Sequence, residues 1–134
     1  IACGIGVIGM CLTGNFALSL IADDAVLAAV ASQPSLPFND QEALHLSPDE
    51  ITAARAHIDQ KGPVLALRFE DDPLCRAPKF SAIDQAFNDD ARRVEMVEIP
   101  GKGHSVLTLD LIKGGAPAQA ALDKVLGYFG SRLK

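Results

Sequence analysis

Basic charge is what this sequence has least of. Its 134 residues carry 12 lysines and arginines against 17 aspartates and glutamates, a formal charge of −5, and the isoelectric point is about 5.0. Without a positive stripe there is little to hold a phosphate backbone or anionic lipid, which argues against nucleic-acid and membrane-surface partners. Cysteine is scarce as well: Cys3, Cys11 and Cys75 are an odd number with no C-x-x-C spacing. Neither a closed disulfide set nor a zinc knuckle is suggested, and a reducing, cytoplasmic setting is expected. His45 and His57 have no partners at metal-ligand spacing, so no metal or cofactor is expected. No uninterrupted apolar run reaches the roughly 18 residues of a membrane span, and the apolar start has no basic leader. Repeats and low-complexity tracts are lacking too.

What is present is apolar material. At 49% hydrophobic, a chain of this length can build one sizeable core, so a single domain over residues 1–134 is expected. Residues 1–10 interleave Ile5, Val7 and Ile8 with Gly4, Gly6 and Gly9, which suits a buried strand that other backbone approaches closely. From Gly14 an apolar stretch runs to Ala22 and reads as a helix buried on most sides. Residues 27–31 form a second short strand, stopped by Ser32-Gln33-Pro34, and residues 34–46 a loop.

Ser47-Pro48-Asp49-Glu50 has the form of a capping box with proline at the first helical position. The helix it opens carries Ile51, Ala54 and Ile58 on one face and ends at Gly62-Pro63. Residues 64–69 read as a third strand, leading into the acidic Glu70-Asp71-Asp72-Pro73 loop. Phe80, Ile83 and Phe87 stripe the next helix, residues 93–99 form a fourth strand, and a loop delivers His104. The last helix shows Leu122, Val125, Leu126, Phe129 and Leu133. Arg92-Arg93, Asp23-Asp24 and Asp89-Asp90 read as solvated ends of elements. Strands alternating with helices imply an α/β fold with a mostly parallel sheet of about four strands, covered on both faces.

Chemistry concentrates where the first strand turns directly into a helix, at Gly9-Met10-Cys11-Leu12-Thr13-Gly14. A sharp strand-to-helix turn pushes its central side chain out at the top of the sheet and demands small residues around it; Gly9 and Gly14 supply them. The Leu12 backbone N–H then lies beside the Cys11 thiol at a helix N-terminus, where thiolate and a developing oxyanion are favoured. Asp72 and His104 fall in loops after the third and fourth strands, which open on the same edge of a parallel sheet. Taken alone, Cys11 is a small buried residue, Asp71 and Asp72 are solvated acids, and Gly103-His104 is a weak phosphate-loop signal. Their order along the chain (nucleophile, acid, base) favours the catalytic reading. Cys3 reads as core and Cys75 as a loop or packing thiol.

Residues 6–14, the Phe69-Glu70-Asp71-Asp72-Pro73 loop and Gly103-His104-Ser105 resemble the three catalytic motifs of the dienelactone hydrolases, and the resemblance spans essentially the whole chain. It implies the C-terminal part of a single α/β-hydrolase domain that cleaves small esters or lactones. Cys11 would be nucleophile, His104 base and Asp72 the orienting carboxylate, with Asp71 a competitor for that last role; Leu12 N–H would help hold the oxyanion. Thr13 stands where the family's elbow usually has glycine. Thr108 stands one helical turn past His104, where lactone-cleaving members are expected to carry a substrate-binding arginine. The resemblance therefore implies the reaction type rather than the dienelactone substrate.

The chain begins inside a strand, and the second oxyanion donor of this fold belongs to a loop after an earlier strand that this sequence does not contain. The 134 residues are expected to be weakly active or inactive alone, and to pair as a homodimer through the open edge of the first strand. The alternative from another class is a non-catalytic α/β domain, a degenerate hydrolase serving as an interaction module.

Overall fold

The computed structural model describes residues 4–133. Cys3 and the start of the expected first strand lie outside them. The elements follow in the order β1 Ile5–Met10, a single 3-10 turn Cys11–Thr13, α1 Gly14–Leu20, β2 Val26–Ser32, α2 Pro48–Lys61, β3 Val64–Phe69, α3 Ala77–Phe87, β4 Val94–Ile99, α4 Leu109–Ile112 and α5 Ala116–Arg132. The four strands form one sheet in the order β1-β2-β3-β4, and every pairing is parallel. Each crossover therefore carries the chain back beneath a layer of helix, and all strand C-termini emerge on one edge.

Alternation along β3 divides the core. Val64 and Ala66 face a cluster with Ala17, Leu18 and Ile21 of the α1 region, Ala54 and Ile58 of α2, and Phe80, Ile83 and Phe87 of α3. Leu65, Leu67 and Phe69 face the other way, onto Ala118, Ala121 and Val125 of α5. Period-2 side chains on a sheet buried on both faces leave no polar side, which is why β3 reads as a continuous apolar run. The α2 start is the expected capping box: Ser47 Oγ accepts from Glu50 N–H at 3.1 Å, and Glu50 accepts from Ser47 N–H at 2.8 Å.

Four expectations need correction. The first strand is not buried: within Ile5–Met10 only Gly9 is buried and Ile5, Ile8 and Met10 are exposed, because β1 lies at the edge of the described sheet. The buried stripe of α5 is Ala118, Ala121 and Val125, while Leu126 and Leu133 are exposed; small residues let the helix lie close against the strands. Only one side of α1 is buried, since Phe16 and Leu20 remain exposed. Arg93 is not a solvated end: it is buried, and its guanidinium pairs with Asp59 at 2.8 Å and with Asp90. No described helix is long and apolar enough to cross a membrane.

Candidate active site

β1 ends in extended backbone at Met10, and Cys11 then takes a left-handed conformation with φ 55°. That region costs a non-glycine residue about a kcal/mol or more, and it persists only where the surroundings fix it. Here Thr13 fixes it: its Oγ1 accepts from Met10 N–H and donates to the Met10 carbonyl, both at 2.9 Å. The threonine that departs from the usual glycine thus ties the turn shut. A Cβ on Gly9 would lie 2.2 Å from the Thr13 carbonyl oxygen, and one on Gly14 2.6 Å from Pro34 Cα. Both positions admit only glycine because backbone crosses them.

The second side of the site is the loop after β3. Asp72 has a fully buried side chain; its Oδ1 accepts from the N–H groups of Leu74 and Cys75, each at 2.8 Å. The third side is the loop after β4, pinned to the second by Glu70 N–H donating to Ile99 at 2.8 Å and Asp71 N–H donating to Gly101 at 3.1 Å. Asp110 holds the following turn by accepting from Ser105 N–H at 2.8 Å.

These loops bring the three expected residues together. His104 Nδ1 lies 2.8 Å from both carboxylate oxygens of Asp72. Carboxylate oxygens accept, so the Nδ1 proton points at Asp72 and Nε2 is left to face the thiol. Nε2 is 3.0 Å from Cys11 Sγ, although 93 positions separate the two residues in sequence. Asp71 is exposed and contributes its backbone only, so Asp72 is the acid that meets the imidazole. Leu12 sits on the 3-10 turn directly after Cys11, where first-turn N–H groups lack helical partners.

Several residues that support this geometry had gone unnoticed in sequence. Arg68, buried in β3, donates through Nη1 to the carbonyls of Phe69, Glu70 and Cys75 at 3.0, 3.1 and 3.3 Å, gripping the Asp72 loop at both ends. Lys79, fully buried, donates to the carbonyls of Leu36, Asp40 and Ala43; burial pushes its ammonium below the ordinary lysine range. Asn15 joins Leu36 and Leu44, and Ser35 N–H donates to the Cys11 carbonyl at 3.1 Å. The only advance signal was a charge or amide inside an apolar stripe. Burial, with Asp72 nearby, pushes the Cys75 thiol up to about 12, which makes it a packing residue. Among the described residues no cluster of three His, Cys, Asp or Glu side chains is placed to hold a metal ion.

No curated protein matches this chain. Among solved structures, the Pyrococcus furiosus esterase Pf2001 is similar in two crystal forms, at TM-scores of 0.64 and 0.67 with 12% and 11% identity, over 97% and 98% of this chain. A candidate dienelactone hydrolase from Klebsiella pneumoniae subsp. pneumoniae MGH 78578 is similar at a TM-score of 0.65 with 20% identity, over 93% of this chain. At such identities the likeness shows the shared fold. The chain spans about half the length of these proteins, 54% and 55% of the esterase and 51% of the Klebsiella protein. The family model for the dienelactone hydrolase family matches residues 2–132, and the chain belongs to that family.

Proposed function

We propose that this chain carries the nucleophile, base and acid of a carboxylic ester or lactone hydrolase that works through a Cys11-His104-Asp72 triad. The observation that carries the reading is the unbroken line from Asp72 through His104 to Cys11, with contacts of 2.8 and 3.0 Å, ending at a thiol held in a left-handed turn. Asp72 fixes the imidazole tautomer and His104 Nε2 takes the thiol proton. The sulfur attacks the ester carbonyl carbon, and the Leu12 N–H steadies the oxyanion. Collapse expels the alcohol with the proton from His104 and leaves a Cys11 thioester. Water, deprotonated by His104, then attacks the thioester, and the acid and the free thiol separate.

One oxyanion donor is typically worth a hundred- to a thousandfold in turnover. The single donor assigned here leads us to expect weak activity from the 134-residue chain. The test is hydrolysis of p-nitrophenyl acetate, with intact-mass analysis of acid-quenched protein. A small release of nitrophenol, an acetyl adduct on Cys11, and loss of both in Cys11→Ala are expected. Equal hydrolysis by Cys11→Ala, or no adduct on Cys11, would overturn the assignment. Turnover comparable to ordinary esterases would overturn the expectation of weak activity.

A further inference from the structure

Three large apolar side chains stand uncovered on the loops that build the site. Leu12 is 50% exposed, Phe38 39% and Leu74 40%. Each is tied to the triad by chain or hydrogen bond. Leu12 follows Cys11 directly, and Leu74 has its N–H on the Asp72 carboxylate at 2.8 Å. Phe38 lies three residues after Ser35, whose N–H holds the Cys11 carbonyl. Gln41 links the last two segments, its Nε2 donating to the carbonyls of Phe38 at 3.1 Å and Leu74 at 3.3 Å.

The segment that bears Phe38 is also fixed from beneath by Lys79 and Asn15, so its apolar surface is presented on a braced loop. A preorganised apolar surface gains more on contact with a ligand than a loose one, because less ordering is left to do.

Charge on the same loops points the same way. Asp40, Glu42, Glu70 and Asp71 are exposed, against the exposed cations Arg76 and Lys102. Two further cations, Arg68 of β3 and Lys79 of α3, are buried; Arg68 donates to backbone carbonyls and pairs with Glu98 at 3.1 Å, and Lys79 donates to backbone carbonyls. An anionic ligand meets net repulsion there, whereas a neutral one with an apolar tail covers exposed carbon.

We infer that Leu12, Phe38 and Leu74 form an apolar lip beside Cys11 that selects neutral, apolar-tailed substrates over those bearing a carboxylate. This deepens the proposed function and rests on Cys11 being its nucleophile. The test uses alkylation of the 134-residue chain, which needs no turnover. Near neutral pH, the Cys11 sulfur attacks the methylene carbon of an iodoacetyl reagent; a C–S bond forms, iodide leaves, and the thiol proton passes through His104 to buffer.

Rates at Cys11 are measured by peptide mapping for iodoacetamide, N-hexyliodoacetamide and iodoacetate, with N-acetylcysteine as the free-thiol reference. The hexyl reagent, divided by iodoacetamide, is expected to be favoured about tenfold more at Cys11 than at the reference, the effect of covering roughly 55 Å² of apolar surface. Iodoacetate is expected to be disfavoured several-fold. Phe38→Ser with Leu74→Ser, and each alone in part, is expected to bring the hexyl preference back toward the reference. Dividing by each protein's own iodoacetamide rate removes changes in thiol reactivity. A hexyl preference equal to that of N-acetylcysteine, or one untouched by both substitutions, would sink the lip. Slow iodoacetamide labelling of Cys11, matched to Cys75, would instead remove the nucleophile reading, and the hexyl ratio would still test the lip.

Discussion

Cys11 and Cys75 show how one residue type divides between two fates by environment alone. Cys11 stands at a strained turn within 3.0 Å of an imidazole, while Cys75 is sealed inside the core cluster with its thiol pushed up to about 12 from 9.0 by burial. Below pH 9 both folded and unfolded chains keep the Cys75 proton, and the group adds no pH dependence. Between pH 9 and about 12 the unfolded chain releases a proton that the folded chain retains, so stability falls as pH rises through that window, by up to about 4 kcal/mol. Urea unfolding at steps from pH 8 upward is expected to show the wild type losing stability more steeply than Cys75→Ala. Parallel curves would contradict the assignment. The sequence distinguished the two thiols through context: Gly9, Gly14 and the strand-to-helix turn mark Cys11, and nothing comparable surrounds Cys75. The left-handed φ of Cys11 and the brace from Thr13 were not readable, because hydrogen bonds of a turn depend on where the chain has already been placed.

At the scale of elements, legibility followed locality. The α2 cap needs residues only three positions apart, and Ser47 with Glu50 announced it; β3 is an apolar run closed by Gly62-Pro63 and an acidic loop, and its bounds were readable to the residue. Failures came where a distant surface decides. The side of α5 that faces inward is chosen by how closely it approaches the sheet, so Ala118 and Ala121 displaced the larger Leu126 and Leu133. Arg68 went unremarked inside the third strand, yet it is the post to which the Asp72 loop is tied. Replacing it by methionine keeps most of the volume and removes the donors to Phe69, Glu70 and Cys75, leaving carbonyls under-satisfied. Arg68→Met is expected to destabilise the protein by about 2–4 kcal/mol in urea unfolding, with faster amide exchange across residues 70–75. An unchanged midpoint and unchanged exchange would show that the loop is held by other means.

For the molecule as a whole, the sheet has two edges of opposite character. β4 carries Glu95 and Glu98, with Glu95 paired to Lys124 at 2.7 Å, and charge of this kind discourages further strand pairing. β1 has no charged residue in Ile5–Met10, and Ile5, Ile8 and Met10 are exposed at 56%, 45% and 37%. Alternation of strands and helices made the parallel sheet readable in advance. That Cys11 and His104 share one edge of the sheet was readable from the strand order, but their direct contact was not, since no local pattern encodes a distance between residues so far apart in the chain. We propose that the 134-residue chain self-associates through the β1 edge. Two copies related by a two-fold axis would pair their β1 strands antiparallel and bury Ile8 and Met10 from each side. Light scattering is expected to give a mass rising from monomer to dimer with concentration, and Ile8→Lys is expected to hold the chain monomeric by placing like charges across the pair. A wild-type mass that stays monomeric throughout, or a dimer that survives Ile8→Lys, would show that the β1 edge does not join copies.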